Sequence, residues 1–229
     1  MSHPFIIWTL QRTGGTTLSE LLMDMSEHCS AEHEPFNVRR QFGHITRAWA
    51  ETGDRKAAFD ELDGVFAARH LIKHCYELHP EFSLLLMEAA ARTDYRHIHL
   101  LRRDECSRLI SKFVAEAHGT WHKEYSSRVF SKVQQGKRQL ASLPLHKMVA
   151  QYKRIDQIRE GIDAEFRKLG VAYRLVFYED LYRGARKTRL AHLEALLEFL
   201  GFSREVVEQH RGSIEEKIFN RGQNTASVM

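Results

Sequence analysis

The sequence holds little of what marks a secreted, membrane-spanning or metal-organised protein. Cysteine is scarce: Cys29, Cys75 and Cys106 are odd in number, widely spaced and outside any CxxC or Cys/His pattern of zinc type. This speaks against a disulfide framework and a metal centre, and a reducing, cytoplasmic setting is expected. Long apolar runs are missing, and the opening residues lead straight into Phe5-Ile6-Ile7-Trp8 without a charged n-region or a small-residue cleavage site. Neither a signal peptide nor a transmembrane segment is therefore expected. Prolines number only 4, and no low-complexity tract, internal repeat or linker divides the chain, so one domain over residues 1–229 is expected. The net charge of +4 is modest and dispersed. Nucleic acid is not an expected partner, and an anionic small ligand suits the balance equally well.

What is present is an ordinary globular composition, 43% hydrophobic and 28% charged, with strands and helices in alternation. A short β-branched run at residues 4–10 predicts a strand, and Leu18, Leu21, Leu22 and Met25 then recur at helical spacing. After a polar stretch, strands are predicted near 65–72 and at 97–101. A helix carrying Leu109, Ile110, Phe113 and Val114 follows, with Asp104 as its N-cap. Residues 121–169 read as mostly helical, two helices or more, broken at Leu143-Pro144. A strand at 171–178 and an amphipathic helix at 190–200, ended by Gly201, complete the order, and the tail after Phe219 reads as loosely ordered. This alternation predicts an α/β fold: a three-layer sandwich with a central, mainly parallel sheet, helices on both faces and a P-loop-like phosphate-binding turn.

The turn is Gln11-Arg12-Thr13-Gly14-Gly15-Thr16-Thr17, between the first strand and the first helix. Such a turn offers backbone N–H groups and a helix N-terminus to an anion. Two glycines permit close approach, three threonines add hydroxyls and Arg12 adds a fixed positive charge. A Walker A loop would carry a lysine before its final threonine, and here Gly15 and Thr16 precede Thr17, which speaks against an NTPase or an ordinary nucleotide kinase. On the local pattern alone, a plain strand-to-helix joint is the competing reading.

A second constellation lies at the third strand. Arg103 ends it and Ser111 sits eight positions later on the next helix, on the order of 10 Å along the axis, so the long arginine spans part of the gap. One phosphate can then engage both. The plainer alternative is a strand-ending arginine and a solvated serine. Arg102 and Arg108 read as surface charges. Two anion sites at the carboxyl ends of neighbouring strands suit one nucleoside with phosphates at two places. Glu34-Pro35-Phe36 follows the first helix, and the proline is expected to hold Glu34 extended, outside any helix and able to face a cleft. An exposed acidic loop is the plain alternative.

These motifs together resemble the sulfotransferase family. Arg12 to Leu18 is similar to its 5′-phosphosulfate loop, [KR]-[ST]-G-[ST]-[ST]-x-L, with Gly15 in place of a hydroxyl residue, and the arginine-bearing form resembles the bacterial and carbohydrate branches. Arg103 and Ser111 resemble the 3′-phosphate motif. Tyr178-Glu179-Asp180-Leu181 and Leu196-Leu197-Glu198-Phe199-Leu200-Gly201 resemble structural elements of the family, and Arg221-Gly222, a match of two residues, resembles its late basic-glycine element. The resemblance implies transfer of a sulfuryl group from 3′-phosphoadenosine-5′-phosphosulfate (PAPS) to a hydroxyl of a carbohydrate, glycolipid or other small metabolite. Adenosine-3′,5′-bisphosphate would be released, and no metal is implied. Arg12, Thr13, Gly14, Gly15, Thr16, Thr17, Arg103, Ser111, Arg221 and Gly222 would hold PAPS, with Arg12 also stabilising the leaving charge. Glu34 would be the base, with Glu32 and His33 beside it. His74 is the rival: the steroid- and phenol-acting branch carries its base in Lys-x-His, whereas here His74 follows Lys73 directly and Cys75 takes the matching position. The competing functions are an atypical nucleotide or metabolite kinase and a non-catalytic nucleotide-binding domain.

Overall fold

The computed structural model describes residues 1–31, 33–119, 121, 129, 131–133, 135–139 and 142–220. Four strands, β1 (Phe5–Thr9), β2 (Ile72–Cys75), β3 (Arg96–Leu101) and β4 (Tyr173–Phe177), form one sheet in the order β2-β1-β3-β4. Every neighbouring pair is parallel. The described helices are α1 (Gly15–Met25), α2 (Gly43–Thr52), α3 (Arg55–Ala67), α4 (Pro80–Ala90), α5 (Glu105–His118), α6 (Leu145–Leu169), α7 (Tyr178–Tyr182), α8 (Arg186–Phe199), α9 (Arg204–Gln209) and α10 (Arg211–Ile214). The last runs into a π-helical turn, Glu215–Asn220.

The two-residue period of a strand sorts side chains to opposite faces, and β1 does so with apolar residues on both. Phe5 and Ile7 join Ile98 and Leu100 of β3, Leu18, Leu21 and Leu22 of α1, and Leu193, Leu196 and Leu197 of α8 in one core. Ile6 and Trp8 join Ile72, Leu62 of α3, Phe82 and Leu86 of α4, and Ile162 and Phe166 of α6 in the other. Helices therefore cover both faces of a parallel sheet, in three layers as expected. Asp104 caps α5 by accepting from Ser107 N–H, and Gly201 takes φ 76 just past α8.

Two expectations need correction. The polar stretch after α1 contains α2 and α3, and the second strand lies at Ile72–Cys75, beyond most of the predicted 65–72. Ala58, Leu62, Val65 and Phe66 are buried at helical spacing behind Asp54, which caps α3 by accepting from Ala57 N–H. Val65 and Phe66 thus belong to a helix face, and the strand that follows is short and partly polar. Glu32, Arg221 and Gly222 lie outside the described residues.

The topology positions the site. The chain leaves β1 toward β2 on one side, and leaves β3 toward β4 on the other. The crevice between the carboxyl ends of β1 and β3 is thus the switch point where open parallel sheets take ligands.

Candidate functional site

The glycine turn closes β1 at this crevice. Thr13 is fully buried, and its hydroxyl donates to Leu10 O at 2.6 Å while meeting the Thr9 hydroxyl, so it shapes the turn from within. Thr16 is exposed on the first turn of α1. Gly14 takes φ 79, and a Cβ there would lie 2.9 Å from Tyr178 and 3.0 Å from Tyr182. Both conformation and space exclude a side chain at Gly14. Arg12 also adopts the left-handed region, at φ 67. Its Nε donates to Ser111 Oγ at 2.9 Å, joining the two motifs across 99 positions of sequence. Burial, then the charge of Arg102, lowers the Arg12 pKa, and among the described residues Arg12 has no carboxylate partner.

Gly15, where the resembled loop has a hydroxyl residue, is pressed by Lys73. A Cβ at Gly15 would meet Lys73 Cε at 3.1 Å and Thr9 Cγ2 at 3.1 Å. Lys73 pairs with Ile7 in the sheet register, and its nearly buried side chain lies against the start of α1. A lysine side chain from the neighbouring strand thus lies beside a turn that has none of its own. Its Nζ donates to Glu34 Oε1 at 2.8 Å and lies 3.1 Å from His33 Nε2. Cys75 Sγ donates to the same Glu34 oxygen at 3.0 Å. Burial alone would raise the Glu34 pKa, but the His33 hydrogen bond and the charge and hydrogen bond of Lys73 overcome it, holding the carboxyl well below the usual range.

Glu34 lies outside any helix but is not extended as expected from Pro35: its φ is 53. The carboxylate is tied to Lys73 and Cys75 while the Glu34 carbonyl accepts from Asn37 N–H at 2.9 Å, and this folded-back turn overrides the extended preference before proline. His74 points to the opposite face of β2. It is 3% exposed, contacts Trp8, Phe36 and Phe82, and has its Nε2 2.7 Å from Ser83 Oγ. The one-residue departure from Lys-x-His decides this, because positions 73 and 75 share a face and 74 does not. Position 75, on the turn's side, is Cys75, the residue that donates to Glu34.

The arginines just after β3 and on α5 also differ from expectation. Arg102 and Arg108 are buried, not surface charges, at 8% and 0% exposure. Arg108 donates to Glu105 at 2.6 Å and to Gln11 O at 2.9 Å, with Glu77 3.6 Å away. Glu77 in turn accepts from Gln11 N–H at 2.6 Å, so the peptide entering the turn is gripped on both sides. Arg102 lies over Tyr178, 4.8 Å from the ring centre, and reaches Arg12 O at 3.4 Å. Its buried Nε has no hydrogen-bond partner, and the nearest carboxylate oxygen, from Glu179, is 4.0 Å away. Arg103 is half exposed and pairs elsewhere than Ser111: it forms a two-pronged pair with Asp180 at 2.7 and 2.9 Å over the Phe177 ring. Ser111 is thus placed with Arg12, and Arg103 with Asp180.

Among known proteins, no family model and no curated sequence matches this chain. Among the described residues no helix is long and apolar enough to cross a membrane, and no group of three or more His, Cys, Asp or Glu side chains is placed to hold a metal ion.

Sequence reasoning passed over Lys73 and Arg102 as site residues. The signal for Lys73 was its two-residue spacing from Cys75 in a strand beside the turn. The signal for Arg102 was its adjacency to the β3 carboxyl end, which alone does not separate it from Arg103.

Proposed function

We propose that this protein is a PAPS-dependent sulfotransferase that works on the hydroxyl of a carbohydrate, glycolipid or other small metabolite. The contact of Arg12 Nε with Ser111 Oγ at 2.9 Å carries the reading, because it joins two anion motifs singled out separately in the sequence. Around it, the N-terminal end of α1 and the guanidinium groups of Arg12 and Arg102 give a partly buried positive site without matching carboxylates on Arg12. In this reading Gly14, Gly15, Thr16 and Thr17 present the 5′-phosphosulfate cradle, and Arg12 takes up charge as the sulfur–oxygen bond to the phosphate breaks. Ser111 and Arg103 take the 3′-phosphate, which requires Arg103 to turn from Asp180. Glu34 receives the proton of the attacking hydroxyl, and His74, on the far face, has no part. Three free cysteines fit a reducing, cytoplasmic setting.

One observation favours a second reading. Lys73 against Gly15 restores a lysine to the turn, as an atypical nucleotide or metabolite kinase would need. Thermal-shift measurements with adenosine-3′,5′-bisphosphate, ATP, and ATP with magnesium separate the two. The sulfotransferase reading expects the bisphosphate to stabilise the protein most, and stabilisation by ATP alone would end it.

A further inference from the structure

Lys73 lies between the two halves of the site. Its side chain is 5% exposed, so its ammonium is cut off from water and requires a partner of opposite charge. Glu34 provides the charge at 2.8 Å, and His33 lies at 3.1 Å. The same side chain runs beside Gly15, the first residue of α1: a Cβ there would lie 3.1 Å from Lys73 Cε, and the helix dipole at that end favours an anion. The ammonium is one bond beyond Cε. The last side-chain torsion has other staggered positions, and a turn between them would move the ammonium without moving the strand.

We propose that Lys73 is shared between the turn and Glu34: a phosphate-type anion seated on the α1 N-terminus draws the Lys73 ammonium toward itself and releases the Glu34 carboxylate. The anion-binding step needs only a phosphate site at the turn. The use of the released carboxylate as the acceptor's base rests on the sulfotransferase reading. Without an anion, Lys73 neutralises Glu34, and this suits a ground state in which no proton is to be moved. With the anion present, two negative groups compete for one buried cation. The groups facing Glu34 are then His33 from its own loop and Cys75 from β2, and neither replaces the lost charge in full. Proton affinity at Glu34 and anion occupancy at the turn thereby rise together, and such linkage is reciprocal. Lys73 is in this sense a positioning residue, acting on the base through its choice of partner.

The consequence runs against what a structural ion pair would give. Removing the Glu34 charge should tighten anion binding, because the ligand no longer competes for Lys73. Titration calorimetry with adenosine-3′,5′-bisphosphate, and with inorganic pyrophosphate as a nucleotide-free probe, measures it. Glu34→Gln is expected to bind both ligands more tightly, within the roughly 5- to 150-fold range of such couplings. Lys73→Met should bind both more weakly, and the double variant should match Lys73→Met alone. Should Glu34→Gln fail to fold, Glu34→Asp, which lengthens the pair but keeps its charge, should show the same sign with a smaller gain. Unchanged or weaker binding in the Glu34 variant, or a gain that persists without Lys73, would overturn the proposal. A wild type that binds pyrophosphate but not the bisphosphate would sink the sulfotransferase reading alone, with the Glu34 comparison still deciding Lys73. Binding of neither would overturn both.

Discussion

Two regions on either side of the Gln11 peptide treat buried guanidinium groups in opposite ways. On one side Arg108, fully buried, is matched by Glu105 at 2.6 Å and Glu77 at 3.6 Å, and its remaining reach is spent on Gln11 O. On the other, Arg12 donates to a hydroxyl and Arg102 leaves a buried Nε without a hydrogen bond. The first set is complete and serves to hold the chain. In the second, the charge of Arg102 lowers the Arg12 pKa after burial has done so, and Arg12 has no carboxylate partner among the described residues. Arg108, with two carboxylates in place, supports the fold, whereas Arg12, with none among the described residues, and Arg102, whose Nε lies 4.0 Å from Glu179, keep charge for the anion proposed above.

The largest effect expected from breaking this contrast is on stability. Arg108→Met leaves Glu77 and Glu105 facing each other without their cation, and urea denaturation should show a loss of about 3–5 kcal/mol. Arg12→Ala should leave stability nearly unchanged but weaken bisphosphate binding by roughly 10- to 100-fold, the worth of a hydrogen bond from a charged donor. If Arg12→Ala instead unfolds the protein as Arg108→Met does, the two regions are not different in kind.

A finer test lies between the neighbours Arg102 and Arg103. Arg102→Gln should weaken the bisphosphate and adenosine-5′-monophosphate alike, because Arg102 sits beside the turn. Arg103→Gln should remove only the preference for the 3′-phosphate, on the order of tenfold. Its pair with Asp180 is half exposed, so stability should fall by no more than about 1 kcal/mol. Equal loss of both ligands in Arg103→Gln would move that residue from the 3′-phosphate to the turn.

An effect absent at neutral pH separates the faces of β2. Burial, with lesser contributions from His79 and Lys73 and opposed by Glu34, lowers the His74 pKa to about 3. The folded chain holds this ring neutral, while the unfolded chain binds a proton below about pH 6.5. The unfolded state therefore carries more protons as pH falls, and stability is lost progressively from about pH 6.5 downward. His74→Gln should flatten that decline in denaturation midpoints between about pH 6.5 and 4 and leave anion affinity at pH 7 unchanged. A loss of affinity in His74→Gln would bring the histidine back toward the site.

Much of this architecture could be read from the chain. The apolar run of β1, the glycines of the turn and the helical spacing of Leu18, Leu21 and Leu22 are local signals, and they locate the first unit correctly. Asp104 likewise announced the start of α5. The second strand was harder, because its four residues include Lys73 and His74, so neither an apolar run nor a polar-apolar alternation stands out. The apolar residues just before it belong to α3. The spacing of Arg103 and Ser111 marked the right crevice but not the right contact, since which arginine meets Ser111 depends on Asp180, 77 residues away. The burial of Arg108 was illegible for the same reason: its partners come from three separate stretches of chain.

In the proposed reading the glycine turn and α5 line one nucleotide site, with the 5′-phosphosulfate on the Arg12 side and the 3′-phosphate at Ser111, joined by the Arg12–Ser111 contact. A double-mutant cycle on bisphosphate affinity tests it most directly, with Arg12→Ala, Ser111→Ala and the pair combined, read by titration calorimetry. Each single change is expected to weaken binding, with a combined loss clearly smaller than the sum of the two. Strictly additive losses, or an affinity that neither change alters, would contradict it.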